Sequence, residues 1–275
     1  MKLISYISSL IIGASLILVF EPFNFWFLTF FIPLSLYFLI KDHDIKSSFY
    51  FGWFFGFGLW LIGIFWIENS IYFYGGATKS VSYFLVICLS AFLALLNGIF
   101  FGIFAYCKTK TNFDILFLFP SIWVGSEWLR EFLLSGFPWF YLGYTSLDNF
   151  FFSGFIPIFG VFGMSFILIF IPALIFVLGE SLISGRQKNI SLIYLTIFSL
   201  FLIASFSSYK VEWTTKKDEV NIVIIQPNIS IEEKWSFQGE NESINLFKSK
   251  IKEHSVKSKD KDCLLYTSDA ADESD

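Results

Sequence analysis

Long apolar runs, broken by short polar gaps, fill the chain from Leu3 to Ser207. A helix needs about 20 apolar residues to cross a bilayer, within a working range of about 17 to 25. On that criterion the pattern predicts helices over Leu3–Phe20, Phe25–Ile40, Phe51–Tyr72, Val81–Tyr106, Ile115–Leu134, Phe150–Leu178 and Ile190–Ser207. The first run reads as a retained helix, because Glu21, Pro22 and Phe23 offer no small-residue cleavage site and further spans follow. The second is short and carries Pro33, so the count of seven rests on the parity of the gaps as well as on length.

At Val211 the pattern changes. Glu212, Lys216, Lys217, Asp218 and Glu219 precede Val220–Ile225, a compact β-branched run that ends at Gln226, Pro227 and Asn228. A run this short, bounded by charges and a proline turn, predicts a buried strand rather than a span. Ile231–Trp235 begins a polar turn, and Glu240–Val256 carries a helical apolar stripe of Ile244, Leu246, Phe247 and Ile251. Strand, loop and amphipathic helix in that order open an α/β layered domain outside the membrane. The expected fold is mostly α: a polytopic membrane bundle of about seven helices over residues 1–208, then the start of an α/β domain over 209–262.

Composition agrees and excludes an ordinary soluble enzyme: 55% of residues are hydrophobic and 15% charged, against about 25% charged in soluble domains. The net charge of −4 says little, because the distribution of charge along a membrane chain matters more than its sum. Lys2, then Lys41 and Lys46, then Lys108 and Lys110, then Arg186 and Lys188 fall in alternate gaps, whereas the other gaps hold only Lys79 and Arg130. Basic residues are retained in the cytoplasm. Met1 is therefore expected on the cytoplasmic side, and everything beyond about Ser208 on the opposite face, the periplasm of a Gram-negative cell. Losing one helix would break the alternation.

Cys88, Cys107 and Cys263 form no CxxC pair and have no histidine at metal-ligand spacing, so neither a metal nor another cofactor is expected. Cys88 and Cys107, within and at the end of an apolar run, read as small buried hydrophobes. His43 and His254 have no catalytic partner nearby, and nothing suggests a nucleic-acid partner. Gly52, Gly56, Gly58 and Gly63 in the third run predict a small-residue seam for close helix packing. Tryptophans such as Trp26, Trp53, Trp60, Trp66, Trp123, Trp128 and Trp139 include several near predicted helix ends, where an interface belt is the default reading.

The most informative stretch is WVGSEWLREFLLSGFPWFYLGY, from Trp123 to Tyr144, because it places Glu127 and Arg130 inside a segment that otherwise reads as membrane. A charge in hydrocarbon costs on the order of 2.5 to 3.5 kcal/mol on insertion scales, so such residues are usually paired and turned away from lipid. Three positions apart on a helix, the two share a face and lie within reach of each other. Two readings stay open: a neutralised structural clamp, or a site that binds lipid or substrate.

Several features taken in order resemble the apolipoprotein N-acyltransferases, bacterial inner-membrane enzymes that complete lipoprotein maturation. They are Glu21-Pro22-Phe23 with Phe25-Trp26, the glycine-rich run from Gly52 to Ile67, and the block Trp123, Glu127, Arg130, Gly136-Phe137-Pro138-Trp139, Gly143-Tyr144. Thr145-Ser146-Leu147, directly after Gly143-Tyr144, departs from the family pattern, Pro157, Gly160, Gly163 and Ser165 continue it, and Gln226-Pro227-Asn228 through Lys234-Trp235 is similar to the start of a nitrilase-like (CN hydrolase) domain. The resemblance implies a phospholipid acyl donor, a Cys thioester intermediate, and a diacylglyceryl apolipoprotein acceptor whose α-amine attacks that thioester. A carboxylate would act as general base and a Lys ammonium would stabilise the oxyanion. It implies substrate contacts for Trp235, near an acyl-chain entrance, and makes Glu127, Arg130 and Trp139 further candidates for substrate binding.

No catalytic residue is assigned, because the Glu, Lys and Cys of that chemistry are expected further along the domain than the residues present. Glu232 and Glu233 lie on a polar turn and read as solvated surface residues. The sequence stops about 55 residues after the first strand, whereas an α/β domain usually needs about 100 or more, so a truncated domain and an inactive fragment are expected. Cys263 to Glu273 reads as the translation of a transposon-end sequencing adapter, which would make residues 263–275 non-native and remove Cys263 as a nucleophile. Two rival classes are a polytopic transporter, expected to show a repeat or matched helix breaks, and another membrane-tethered nitrilase-type amidase, which would lack the Trp123–Tyr144 block.

Overall fold

The computed structural model describes residues 2–133, 136–147, 149, 151–184, 188–215, 222–225, 229, 239–257 and 263–266. They fall into two compact units, Met1–Val211 and Glu212–Asp275.

The first unit is helical. Helix α1 (Lys2–Ser15) runs into a 3-10 turn at Leu16–Val19, and a second such turn, Trp26–Phe30, leads into α2 (Ile32–Ile40). Then come α3 (Ile45–Gly63), α4 (Ile67–Phe73) and α5 (Lys79–Cys107). A π-helical turn at Asp114–Leu118 feeds α6 (Phe119–Phe132), and two 3-10 turns, Leu142–Ser146 and Ser153–Phe155, precede α7 (Ile156–Ser184) and α8 (Lys188–Tyr209). Each predicted apolar run contains helix, but the runs are not seven plain spans. By length and composition α5, Ser153–Ser184 and Ser191–Tyr209 can each cross a membrane, and α3 with α4 makes a fourth if taken together.

The break between α3 and α4 turns the chain by 54° within a run expected to be one helix. At the end of α3 the Phe140 ring packs closely on Gly63, where a β-carbon would lie 2.5 Å from it. Helix α7 is also bent, at Gly160, whose φ of 61° lies in the left-handed region that glycine adopts readily.

Helix α3 packs on both α1 and α5, and the predicted glycine seam makes this possible on two sides. A β-carbon on Gly58 would lie 2.1 Å from the Leu10 carbonyl oxygen of α1, and one on Gly13 of α1 would lie 1.8 Å from that of Phe55. Towards α5, Gly52 and Gly56 leave room for Asn97, whose side-chain oxygen accepts from Trp60 Nε1 at 3.1 Å. Phe55, Phe101, Phe104 and Phe119 fill the space between α3, α5 and α6 and are fully buried or nearly so. Two carboxylates fix the ends of helices. Asp44 accepts from Ser47 N–H at 3.2 Å and caps α3; buried Asp114 accepts from the N–H groups of Thr109 (2.8 Å) and Lys110 (2.6 Å), tying down the connection from α5 to α6.

Cys88 and Cys107 are exposed, not buried as their apolar surroundings suggest. The reason is that the outer surface of α5 is itself apolar, with Phe84, Ile87, Phe92 and Ile99 exposed, so hydrophobicity does not separate core from periphery in a membrane bundle. The tryptophans divide likewise: Trp60 and Trp123 are buried, while Trp66, Trp128 and Trp139 are exposed.

In the second unit, β1 (Ile222–Ile225) lies in the run expected to be a strand and α9 (Gly239–Lys257) covers the expected amphipathic helix. A second strand, β2 (Cys263–Tyr266), pairs in parallel with β1, Ile222 opposite Cys263 and Ile225 opposite Tyr266. These four residues fall in the segment read as adapter-encoded; an unpaired strand edge such as that of β1 pairs with any short apolar run that reaches it. Gln226-Pro227-Asn228, Glu232, Glu233, Lys234 and Trp235 lie outside the described residues.

Candidate functional site

Trp123, Glu127 and Arg130 recur at helical spacing along α6, so they share its buried face. Exposure falls to 2% at Glu127 and 5% at Arg130. The spacing predicts a shared face, and that is observed. It also puts the two head groups within reach of each other, yet they make no ion pair within 4.0 Å among the described residues. Each is recruited instead by the chain that returns along the helix.

That return starts at Gly136, whose φ of 90° takes the left-handed conformation needed just past a helix end. A β-carbon there would meet the Glu131 carbonyl oxygen at 2.3 Å. Phe137 N–H then donates to the Arg130 carbonyl at 2.9 Å, and the chain folds back beside α6. Arg130 Nη2 donates to the Trp139 carbonyl at 2.9 Å. Glu127 Oε1 accepts from Leu142 N–H at 2.9 Å and from Trp123 Nε1 at 3.0 Å. The guanidinium carbon lies 4.8 Å from the Trp60 ring centre and 5.0 Å from that of Tyr141, so an aromatic ring covers it on two sides.

The returning segment is held from the far side as well. Phe140 adopts a φ of 58°, rare for a residue with a β-carbon, and its ring is packed against Phe20 and Trp60. Gly143 N–H donates to Ser165 Oγ of α7 at 2.8 Å, and its missing side chain lets the turn lie directly on α7, 2.0 Å from the Val161 carbonyl oxygen at the β-carbon position. A buried acid and base thus replace, for a non-helical segment inside an apolar bundle, the backbone partners that hydrocarbon does not supply.

Of the four candidate residues, the structure brings Glu127, Arg130 and Trp139 together, the last through its backbone carbonyl. The Trp139 ring stacks on Phe137 at 4.9 Å and is 42% exposed. Trp235 lies outside the described residues. Trp60, Asn97, Tyr141 and the Leu142 amide complete the cluster without having been singled out as site residues. Asn97 alone left a signal, an amide inside the apolar run LLNGIF. The arrangement can position a backbone segment; it holds no exposed nucleophile, and among the described residues no group of His, Cys, Asp and Glu could hold a metal ion.

A groove of about 310 Å3 between α5 and the segment after α6 has Arg130 in its wall.

Comparison with known proteins covers the same region. The family model described as the apolipoprotein N-acyltransferase N-terminal domain matches residues 12–174. The chain is 31% identical over 256 residues to the apolipoprotein N-acyltransferase of Pasteurella multocida, covering 92% of this chain and 48% of that protein. It is 31% identical over 238 residues to that of Haemophilus influenzae, covering 85% and 44%. It is 33% identical over 231 residues to that of Coxiella burnetii, covering 82% and 46%. The chain spans about half the length of the curated relatives it matches.

Proposed function

Because the chain belongs to the apolipoprotein N-acyltransferase family, we propose that it supplies the membrane half of an enzyme that carries an acyl chain from a phospholipid, through a Cys thioester, to the N-terminal diacylglyceryl-cysteine of a lipoprotein. The observation that carries this reading is the coincidence of the family match with the Glu127–Arg130 cluster: residues 12–174 include every described residue of the cluster. A match covering 92% of the chain also extends past Val211 into the second unit, in keeping with a bundle that continues into the beginning of a nitrilase-like domain.

In this reading seven crossings of the inner membrane leave Met1 in the cytoplasm and the second unit in the periplasm. Glu127 and Arg130 hold the segment 136–142 in place, Trp139 presents its exposed ring to lipid, and Trp235 stands at the acyl-chain entrance. In this reading residues 1–275 do not supply the general-base Glu, the oxyanion-stabilising Lys or the nucleophilic Cys, and the 275-residue chain by itself is expected not to transfer acyl groups.

The test uses a strain depleted of its own enzyme, with lipoprotein N-terminal peptides read by mass spectrometry. The chain alone is expected to leave diacylated lipoprotein, whereas residues 1–211 joined to the remainder of the Pasteurella multocida protein are expected to restore the triacylated form. Triacylation by the chain alone would refute the need for the absent Glu, Lys and Cys. A joined protein that accumulates in the membrane yet leaves lipoprotein diacylated would refute the function.

A further inference from the structure

The groove beside α5 shares Arg130 with the polar cluster. Phe92, Leu93 and Leu96 of α5 form one wall, Leu133 and Phe137 the other, and among the described lining residues Arg130 is the one that carries a charge. Its volume of about 310 Å3 is at the lower end of the roughly 300 to 1,000 Å3 of small-molecule sites, enough for one alkyl chain and too little for a whole phospholipid. Helix α5 is long and apolar enough to cross a membrane, and Phe92 and Ile99 at the groove are half-exposed, so the groove opens toward hydrocarbon.

Arg130 at its wall is 5% exposed, and its Nε has no hydrogen-bond partner among the described residues. A guanidinium has five N–H donors. The Trp60 and Tyr141 ring centres lie 4.8 and 5.0 Å from its carbon, the Trp139 carbonyl accepts from Nη2, and Glu127 makes no ion pair with it within 4.0 Å among the described residues. Hydrocarbon supplies no acceptor.

We propose that this groove is an intramembrane lipid site, in which one acyl chain of a bilayer phospholipid lies along Phe92, Leu93 and Leu96 and its ester carbonyl oxygen accepts a hydrogen bond from Arg130. An ester suits the site better than a phosphate, because the walls around Arg130 are apolar and bring no second cation to compensate an ionic head group. The inference needs only that α5 lies in a bilayer, so it and the acyl-transfer reading can fail separately.

The experiment places the chain in vesicles of phosphatidylethanolamine and phosphatidylglycerol containing a diester phosphatidylcholine with a diazirine on one acyl chain. After irradiation, adducts are mapped by peptide mass spectrometry. Labelling at Leu93, Leu96 and Phe137 is expected to exceed that at Phe84 and Ile87, which are exposed on α5 outside the groove, and Leu96→Trp should remove the excess. A diether analogue, lacking the carbonyl, should label the groove about fivefold less, the ratio that one hydrogen bond of about 1 kcal/mol gives. Arg130→Gln should erase this ester preference while labelling at Phe84 persists. Equal labelling inside and outside the groove in the unmodified chain would overturn the site, and equal labelling by ester and ether would overturn the role of Arg130; neither result depends on a variant that folds.

Discussion

Glu127 is the residue on which the local geometry turns, since one of its oxygens satisfies both an indole and a backbone N–H that have no alternative acceptor in an apolar bundle. Glu127→Ala strands both donors, and each buried unsatisfied group costs about 1 to 3 kcal/mol. A clear fall in the melting temperature of the detergent-solubilised protein is expected, with Glu127→Gln, which keeps an acceptor oxygen, closer to the parent; equal loss in the two variants would contradict the hydrogen-bond account. Spacing made the shared face of Glu127 and Arg130 legible in the sequence. Their backbone partners were not legible, because these lie 15 and 9 positions downstream and are reached only through the tertiary return of the chain. Outside the spans, Asp44 offers a pH test. Hydrogen bonds from Ser47, through its hydroxyl first and then its N–H, hold the Asp44 carboxyl below its ordinary value of 3.8. A depressed carboxyl stabilises the folded state above its unfolded pKa and loses that contribution as pH falls through the folded value. The protection factor of the Ser47 amide, its exchange rate corrected for the intrinsic pH dependence, should therefore be steady from near neutrality down to about pH 4 and fall at more acid pH, and Asp44→Ala should abolish that change.

Among the elements, α3 shows how far a hydrophobic pattern reaches. The glycines at its contacts were recognisable as a seam, and the structure gives each a specific neighbour. The break at the end of α3 was not recognisable, because it falls inside an uninterrupted apolar run, and the ring that packs there belongs to Phe140, far along the chain. The exposed cysteines of α5 teach a similar lesson: when lipid is the solvent, an apolar run has no polar face to mark its outside. Gly13→Ala and Gly58→Ala should each force α1 and α3 apart, with overpacking costs typically of about 1 to 3 kcal/mol, whereas Gly179→Ala in α7, where a β-carbon meets nothing within 4 Å, should be neutral or slightly stabilising. Melting temperatures of the three variants check this, and a Gly13→Ala protein as stable as the parent would show that the two helices do not approach as closely as described.

For the whole molecule, class and family were legible because composition, apolar run length and the order of the motifs agree, whereas the broken helices were hidden by uniform hydrophobicity. The identity of residues 263–275 is decided by their codons; codons for Cys263 to Glu273 that differ from the adapter would make the pairing of β1 with β2 a native feature. The proposed acyl transfer to an exported lipoprotein requires that the chain beyond Ser208 emerge on the face opposite Met1, the orientation expected from the alternation of basic gaps. Alkaline phosphatase fused after Lys217 measures this most directly. An active phosphatase is predicted, with a fluorescent protein at the same junction remaining dark; a fluorescent fusion with inactive phosphatase would contradict both the topology and the function that depends on it.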